Sequence, residues 1–483
     1  MAIYIFRDDF NISENENFVH VVKNYDKILP LVVWDTEWLE VSGARACVFR
    51  DTIQDFYGKF MYHGVALHVI YGKISDVLVT ILPKIHKQYG KISIHLSENF
   101  TVEFRNKLRI AFAKLIEVYN YVDIQFGKMR IFDGKIAKFT VEKPQKNDEF
   151  EIFEMLRSKK FDEKFDEKIE QIFKTSYIKT KNQFKKLAEY HPHQQTFSRI
   201  LRNKIESFDI FERFENDDIS ENSVDSNDTR RSYAEGTCFY VQPMRLASFL
   251  NTGMITVSAI LFKLKCDDKL HREALEKLRE QLTRHEYNIA LYNYLAGQST
   301  FAPIQKDAYT RYENVVKTLE DKETARFVDL WKNGKTGFPI IDAGIREMLR
   351  TGSMHTAVKS AVASFFVFDI GAHWRYADEF FAQYLGDYDK KQSVINWFDI
   401  LHMLFEPEHA AMAKNPQKQA EKIDPNEEYI RENIAFFRKK RFGTALRWIK
   451  LHVNYDKKAL SDYCRPMLDH QKRVKKYMEM HKI

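Results

Sequence analysis

Residues 331–344 read WKNGKTGFPIIDAG and open the most informative part of the chain. Gly337 and Pro339 predict a turn, and Gly352 lies where a glycine is expected to end the helix that follows. Apolar side chains recur along this helix at the spacing of one buried face. They are Ile341, Ile345, Met348 and Leu349. A second apolar helix is expected from about 356 to 370, so the stretch predicts a pair of buried helices.

Length and composition restrict the class of protein. At 483 residues the chain can form two or more domains with a large core. Apolar residues make up 44% of the chain and charged residues 30%, as is typical of a globular protein in solution. The sequence has no run of about 18 uncharged apolar residues and no signal-peptide pattern at its start. We therefore expect an intracellular protein, cytoplasmic or nuclear, that does not enter a membrane.

Motifs of several common site types are missing from the sequence. The four cysteines are widely scattered and form no C-x-x-C pair, so no local zinc or iron–sulfur site is expected. There is no G-x-S-x-G, no H-E-x-x-H and no P-loop lysine motif. The net charge of +7 permits contact with nucleic acid without establishing it.

The first part of the chain alternates between short apolar runs and helical stretches. This order predicts a parallel α/β sheet with helices on both faces. The predicted strands are 3–6, 31–34, 66–70, 92–96 and 121–124, and the predicted helices lie near 15–24, 44–62, 74–89 and 102–118. No G-x-G-x-x-G follows the first strand, so the dinucleotide-binding fingerprint is absent.

Charge and polarity then mark the boundaries between domains. We expect residues 1–134 to form the α/β domain and 135–195 to form a charged linker. Within that linker, residues 161–168 repeat FDEK in tandem, which predicts a solvated helix. Residues 196–483 should form an all-helical domain, with a mobile loop at about 215–229.

The sequence resembles the photolyase/cryptochrome family along nearly its whole length. Residues 331–343 match the family's W-x-x-G-x-T-G-x-P-x-[IV]-D-A, and 351–355 match T-G-W-M-H except at Ser353. Further parallels are 363–366 to A-S-F-L, 415–424 to N-P-x-x-Q-x-E-K-x-D, 465–470 to K-P-M-V-D-H and 6–12 to F-R-x-D-L-R-L. The resemblance implies a Rossmann-like α/β antenna domain and a larger all-helical domain that holds a folded FAD. In the family, this cofactor passes a light-driven electron to a damaged pyrimidine pair flipped out of DNA.

The resemblance also implies where the FAD phosphates and ring would bind. The family's phosphate-binding T-S-x-L-S falls on 243–247, where no hydroxyl remains, although Arg245, next to Leu246, could pair with a phosphate. Lys391 stands where the family has an asparagine near the flavin ring, while Asp387 retains an aspartate of the same run. The family's Arg–Asp pair becomes Lys359 with Leu385, which would leave the lysine without its carboxylate partner.

Other substitutions affect electron transfer and the lesion pocket. Trp374 matches the middle tryptophan of the family's electron relay, but Ile395 replaces the member nearest the flavin, so the usual relay is interrupted. Arg284 replaces the tryptophan that stacks on the lesion. The matches retained at the lesion pocket are Gln281, Glu286, His355 and Trp397.

Three hypotheses follow. The leading one is a non-catalytic protein that has lost FAD, needs no cofactor and serves a structural, self-assembling or interaction role, as a homo-oligomer or with a protein partner. The second is an FAD-dependent photolyase that repairs pyrimidine dimers, or a cryptochrome-like sensor, with a divergent pocket. The third is a flavin-free nucleic-acid-binding protein that uses the basic runs 438–441 and 472–476. Whether the chain is an enzyme therefore stays open at this point.

Overall fold

A computed structural model describes nine stretches of the chain. They are residues 1–34, 43–97, 102–127, 149–159, 246–257, 272–296, 302–404, 413–454 and 463–481. The chain divides into two compact units. The α/β unit comprises Met1–Asp209, Arg245–Leu270 and Leu282–Glu286, and the helical unit comprises Ile210–Met244, His271–Gln281 and Tyr287–Ile483.

The α/β unit is built on a five-stranded parallel sheet, as predicted. Its strands are β1 (Ala2–Phe6), β2 (Ile28–Trp34), β3 (His68–Tyr71), β4 (Ile92–Ser97) and β5 (Val122–Gly127). The spatial order is β3-β2-β1-β4-β5, and every pairing is parallel. Alternate residues of β1 enter two different hydrophobic clusters, because successive side chains point to opposite faces. Both faces of the sheet are therefore buried.

The first four helices of this unit lie close to the predicted positions, and two more follow them. They are α1 (Glu16–Asn24), α2 (Gly43–Tyr62), α3 (Ile74–Tyr89), α4 (Val102–Val118), α5 (Glu149–Ser158) and α6 (Leu246–Asn251). The helix α5 lies inside the stretch expected to be a linker, and it packs Ile152, Phe153 and Leu156 into the core beside the sheet. The FDEK repeat and the loop at 215–229 lie outside the described residues.

The helical unit contains the helices around the opening motif. These are α7 (Arg272–Ala296, with residues in both units), α8 (Lys306–Val315), α9 (Lys322–Lys332), α10 (Pro339–Thr351), α11 (Thr356–Ser364), a π-helix (Phe365–Ile370), α12 (Trp374–Tyr384), α13 (Lys390–Ile400), α14 (Pro416–Ile423), α15 (Glu428–Asn433), α16 (Ala435–Arg438), α17 (Trp448–Asn454) and α18 (His470–His481). None of the helices in the described ranges has the length and apolar content that crossing a bilayer requires.

The motif at 331–344 forms the turn that starts α10. Its Asp342 carboxylate accepts from Thr336 N at 2.7 Å, from Thr336 Oγ1 at 2.6 Å and from Gly337 N at 3.0 Å, and it also accepts from the Tyr463 hydroxyl. Gly337 has φ +79°, and a Cβ there would lie 2.3 Å from the Arg465 carbonyl oxygen. The motif thus fixes a turn against a distant segment of the chain.

The two predicted helices of this region are confirmed, with one difference. Gly352 ends α10 in the left-handed conformation expected of a C-cap glycine. The second helix begins as α11 but widens into a π-helix for its last six residues. There Asp369 is buried and pairs with His470 of α18, with Oδ1 2.6 Å from Nδ1. Insertions of this kind are frequent at functional sites.

Candidate functional site

Lys359 and Asp387 form the first polar pair of the expected cofactor region. Lys359 lies on α11, and its Nζ is 3.5 Å from Oδ2 of Asp387. The sequence led us to expect no carboxylate beside this lysine, since Leu385 replaces the family's aspartate. In the structure, Leu385 is the buried C-cap of α12, and the turn after it brings Asp387 to Lys359. Each side chain is 28% exposed, so the pair contributes modestly to stability.

Backbone contacts hold this turn in place. The Gly386 N–H donates to the Gly352 carbonyl at 2.9 Å, which ties the end of α12 to the end of α10. Asp389 then caps α13, because its Oδ1 accepts from Lys391 N at 2.6 Å and from Gln392 N at 3.3 Å. The position of Asp387 therefore depends on two helix ends that lie more than thirty residues apart.

Lys391 lies in the first turn of α13 and is buried, with 5% of its surface exposed. The resemblance places this position next to the flavin ring. An ammonium group in a buried position is stabilised by anionic or hydrogen-bonding neighbours. Lys391 thus adds a buried positive charge to the first turn of α13.

His355 is the N-cap of α11 and is buried. Its Nδ1 accepts from the Ala357 N–H at 3.3 Å. Burial and, to a smaller extent, the charge of Lys359 lower the pKa of His355 to about 4. The ring is therefore neutral near pH 7, and since Nδ1 accepts, Nε2 carries the proton. His355 can thus donate a hydrogen bond without bringing a charge.

Trp374 and Trp397 come together in the structure. Their ring centroids are 6.0 Å apart, and Trp397 also stacks on Phe381 at 5.9 Å. The Trp397 Nε1–H donates to Asp378 Oδ1 at 3.0 Å. Ile395, on the same helix, is buried as well. Trp374, the relay residue identified from the sequence, therefore has a second indole beside it.

The carboxylate that binds Trp397 is itself enclosed by donors. Asp378 accepts from the Tyr388 hydroxyl at 2.9 Å and from Ser393 Oγ at 2.5 Å, in addition to the indole. Burial raises the pKa of Asp378, although these three donors act in the opposite direction. The cluster holds Trp397 in one orientation between α12 and α13.

The remaining lesion-pocket matches lie on α7. Gln281 is exposed, and Glu286 lies with its Oε1 3.3 Å from His285 Nδ1. Glu286 belongs to the α/β unit, whereas Gln281, His355 and Trp397 belong to the helical unit. Asn288, which no motif pointed to, is buried on α7 and donates to Gln392 Oε1 at 3.0 Å.

The phosphate-binding prediction falls at the edge of the described chain. Arg245 lies outside the described residues, and Leu246 begins α6. The role assigned to Arg245 therefore stays a prediction. Among the described residues, no group of three or more histidine, cysteine or acidic side chains could hold a metal ion.

The sheet of the α/β unit carries a polar cluster where β1 and β4 end. Crevices at this edge are the usual ligand sites of open parallel sheets. In this chain the Asp9 side chain lies at this edge. Its Oδ2 accepts from Ser97 Oγ at 2.6 Å, from Tyr4 Oη at 2.7 Å and from Asn15 Nδ2 at 3.1 Å. These side chains are buried and satisfy one another.

The two basic runs differ in their surroundings. Arg438, Lys439 and Arg441 are exposed at the turn after α16, next to Phe442, which is 63% exposed. The run at 472–476 lies on α18 and is interleaved with carboxylates. Lys472 is 3.8 Å from Asp469, Arg473 is 3.0 Å from Glu323, and Lys475 is 4.0 Å from Glu479. Only the first run therefore presents a concentrated positive surface.

Comparison with known proteins identifies a similar domain in the C-terminal part of the chain. A family model described as the FAD binding domain of DNA photolyase matches residues 278–482, which include α8 to α18. Residues 278–482 are therefore similar to the FAD binding domain of DNA photolyase. The photolyase-type fold predicted from the sequence is thereby confirmed.

Relatives with curated names match parts of the chain. The deoxyribodipyrimidine photo-lyase of Halobacterium salinarum is 26% identical over 170 residues, which are 35% of each protein. That of Buchnera aphidicola is 30% identical over 194 residues, 39% of this chain and 38% of the relative. Cryptochrome-1 of Arabidopsis thaliana is 37% identical over 101 residues, 21% of this chain and 15% of the relative. The matched segment thus spans well under half the length of each relative.

Solved structures match over the full length. An archaeal photolyase from Sulfolobus tokodaii, described as containing two FAD molecules, has a TM-score of 0.66 at 20% identity and covers 100% of this chain and 99% of its own. A Synechocystis cryptochrome has a TM-score of 0.69 at 16% identity and covers 99% of both chains. These likenesses show the fold.

The expectation that the chain needs no cofactor is wrong. The matching family model is that of an FAD-binding domain, and it covers Lys359, Asp387 and Lys391. The expectation rested on single substitutions at pocket positions. At one of these positions the structure supplies another side chain, because Asp387 lies beside Lys359 although Leu385 replaces the family's aspartate.

Proposed function

We propose that the helical unit binds FAD and that the chain is a blue-light-dependent photolyase acting on pyrimidine dimers in DNA. The match of the FAD-binding family model over residues 278–482 carries this proposal. The curated photolyases among its relatives support the substrate class.

The residues present suit the cofactor chemically. The FAD pyrophosphate is anionic, and Lys359 on α11 and Lys391 in the first turn of α13 each bring a positive charge to the helical unit. Asp387 can accept from ring or ribose donors, and neutral His355 can donate from Nε2 without competing for the phosphates. When bound, FAD would supply light absorption and one-electron chemistry. The protein would orient the cofactor and exclude water from it.

The first test is flavin content. The purified protein should absorb at roughly 400–500 nm and release FAD on denaturation at close to one per chain. A Lys391→Met variant should bind FAD about tenfold more weakly, since a hydrogen bond to a charged group contributes about 1.5–3 kcal/mol. Lys450→Met, at an exposed position of α17, is the matched control and should bind normally. A colourless protein that cannot be reconstituted with FAD would rule out the proposal.

The second test is repair. An oligonucleotide that contains one thymine dimer should be restored under blue light and remain unrepaired in the dark. Restoration should require bound flavin, so the Lys391→Met variant should lose repair in proportion to its lost occupancy.

One observation favours a second candidate, a flavin-binding light sensor or interaction protein without repair. Arg284, exposed on α7, stands where the resemblance places the tryptophan that stacks on the lesion. A flavin-containing protein that fails to repair the dimer would support this second candidate.

A further inference from the structure

Asn288 of α7 contacts α13 at two places that are one helical turn apart. Its side chain is buried, with 5% of its surface exposed, and it lies in the helical unit. The Nδ2 amide donates to Gln392 Oε1 at 3.0 Å and to Asn396 Oδ1 at 3.4 Å. Both acceptors occupy one row of α13, because side chains four positions apart lie on the same face of a helix. One amide therefore holds a whole turn of this helix.

A second side chain holds the neighbouring row of α13 in the same manner. Asp378 of α12 accepts from Ser393 Oγ at 2.5 Å and from the Trp397 indole N–H at 3.0 Å, both through Oδ1. These two donors are again four positions apart. Successive residues of a helix are turned by about 100° around its axis, so the two rows face different directions. Rotation of α13 about its axis would therefore break hydrogen bonds to both α7 and α12.

The apolar contacts of α13 resist such a rotation less. Val394, Ile395 and Phe398 are buried, and hydrophobic contact is not directional. A buried amide is costly unless its groups are hydrogen-bonded, whereas leucine, which branches at the same carbon, could fill this space with an apolar side chain. The asparagine at position 288 therefore contributes direction to the packing of α13 rather than buried apolar surface.

Lys391 and Trp397 adjoin the two residues that Asn288 binds. Lys391 directly precedes Gln392, Trp397 directly follows Asn396, and the side chains of Lys391 and Trp397 are buried. A side chain on a helix reaches about 5–6 Å from the axis, so a rotation of about 20° would displace its outer end by about 2 Å. A misplacement of about 1 Å is enough to lower catalysis by about a hundredfold. The rotation of α13 therefore matters for both side chains.

We propose that Asn288 is a positioning residue that sets the rotation of α13 about its axis, and with it the placement of Lys391 and Trp397. For Lys391 this rests on the proposed function, in which the lysine helps to hold FAD. Asn288 acts through α13 and needs no contact of its own with the cofactor.

The indoles of Trp374 and Trp397 report the rotation of α13 without any flavin. Their centroids are 6.0 Å apart and their planes are inclined by 35°, so their ultraviolet transitions couple. The resulting circular dichroism couplet depends on their mutual orientation, and the difference between the wild type and Trp397→Phe isolates it. Asn288→Leu should weaken or invert this couplet while the helix content stays the same. Asn314→Leu, at an exposed asparagine of α8, is the matched control and should leave it unchanged.

Gln392→Leu is a second variant that disturbs the core less, because Gln392 is only partly buried. It removes the shorter of the two hydrogen bonds and should change the couplet in the same direction. A couplet of wild-type size and sign in either folded variant would overturn the proposal.

FAD affinity tests the consequence for Lys391. Asn288→Leu should bind FAD about threefold to tenfold more weakly, as expected for the loss of a neutral hydrogen bond that orients a binding group. Combined with Lys391→Met it should cause no further loss, because it acts through that lysine. Additive losses, or a normal affinity where the couplet has changed, would refute its positioning of Lys391. If the chain takes up no flavin, the proposed function fails, whereas the couplet still decides whether Asn288 sets the rotation of α13.

Discussion

Replacing Asp342 by asparagine tests how the opening motif holds α10. The carboxylate accepts two hydrogen bonds from Thr336, one from the Gly337 N–H and one from the Tyr463 hydroxyl. Asparagine has the same shape and leaves no cavity, but it offers one acceptor oxygen and two N–H donors. If the oxygen stays opposite Thr336, the new amide N–H groups face the Gly337 N–H, which loses its acceptor.

The magnitude follows from these contacts. A buried donor without an acceptor costs about 1–3 kcal/mol. Thr336 would now donate to a neutral amide oxygen, and such a hydrogen bond is weaker than one to a carboxylate by about 1 kcal/mol. Burial destabilises the charged carboxylate, as the raised pKa of Asp342 indicates. The neutral amide avoids this desolvation cost, which offsets part of the loss. We expect the free energy of unfolding to fall by about 2 kcal/mol, or roughly 4–8 °C in Tm.

Urea unfolding at pH 7, followed by circular dichroism, measures this change, and calorimetry gives the shift in Tm. Asp329→Asn, at an exposed carboxylate of α9, is the control and should change stability by no more than about 0.5 kcal/mol. If Asp342→Asn is as harmless as the control, the hydrogen bonds of the motif do not hold the turn.

Two buried titratable groups and the exposed basic turn give the remaining predictions. Burial raises the pKa of Asp369 to about 6, so the folded chain keeps a proton that the unfolded chain releases, and stability falls as pH rises from about 4 to about 6. Asp369→Asn should remove up to about 3 kcal/mol of this dependence in urea unfolding at a series of pH values, and an unaltered slope would contradict the assignment. Burial lowers the pKa of His355 to about 4, so its contribution has the opposite sign: stability falls as pH drops from about 6.5 to about 4, and His355→Gln should lessen this acid loss. The exposed run at 438–441 should bind duplex DNA with strong salt dependence, and Arg441→Gln should reduce the slope of log K against log salt by about 0.9 for one lost phosphate contact. Phe442→Ala should leave that slope unchanged, and DNA binding that is insensitive to salt would exclude a role for this turn.

The fold was largely predictable from the sequence because its signals are local. The sheet follows from the alternation of apolar runs with helices, and the observed strands match the predicted ones closely. The helix α5 was missed, because its ten residues lie in a highly charged stretch and only three of its side chains are known to be buried apolar ones, with Met155 partly buried beside them. The π-helix was also missed, since residues 365–370 have the same apolar character as an ordinary buried helix.

The candidate site was less predictable. The resemblance identified Lys359, Asp387 and Lys391, but substitutions at neighbouring positions led to the wrong expectation that no cofactor binds. Position-by-position matching treats each lost side chain as a lost contact. It does not register that a residue two positions away can supply the same group, as Asp387 does for Lys359.

The amino-acid sequence by itself determined the turn before α10, the ends of that helix and the parallel sheet. These features depend on backbone conformations and on side-chain periods within a few residues. Packing between helices decided that Asp387 reaches Lys359, that Trp397 touches Trp374 and that Phe398 packs against Tyr309. These contacts join residues up to nearly ninety positions apart, and they exist only because the helices that carry those residues pack against one another.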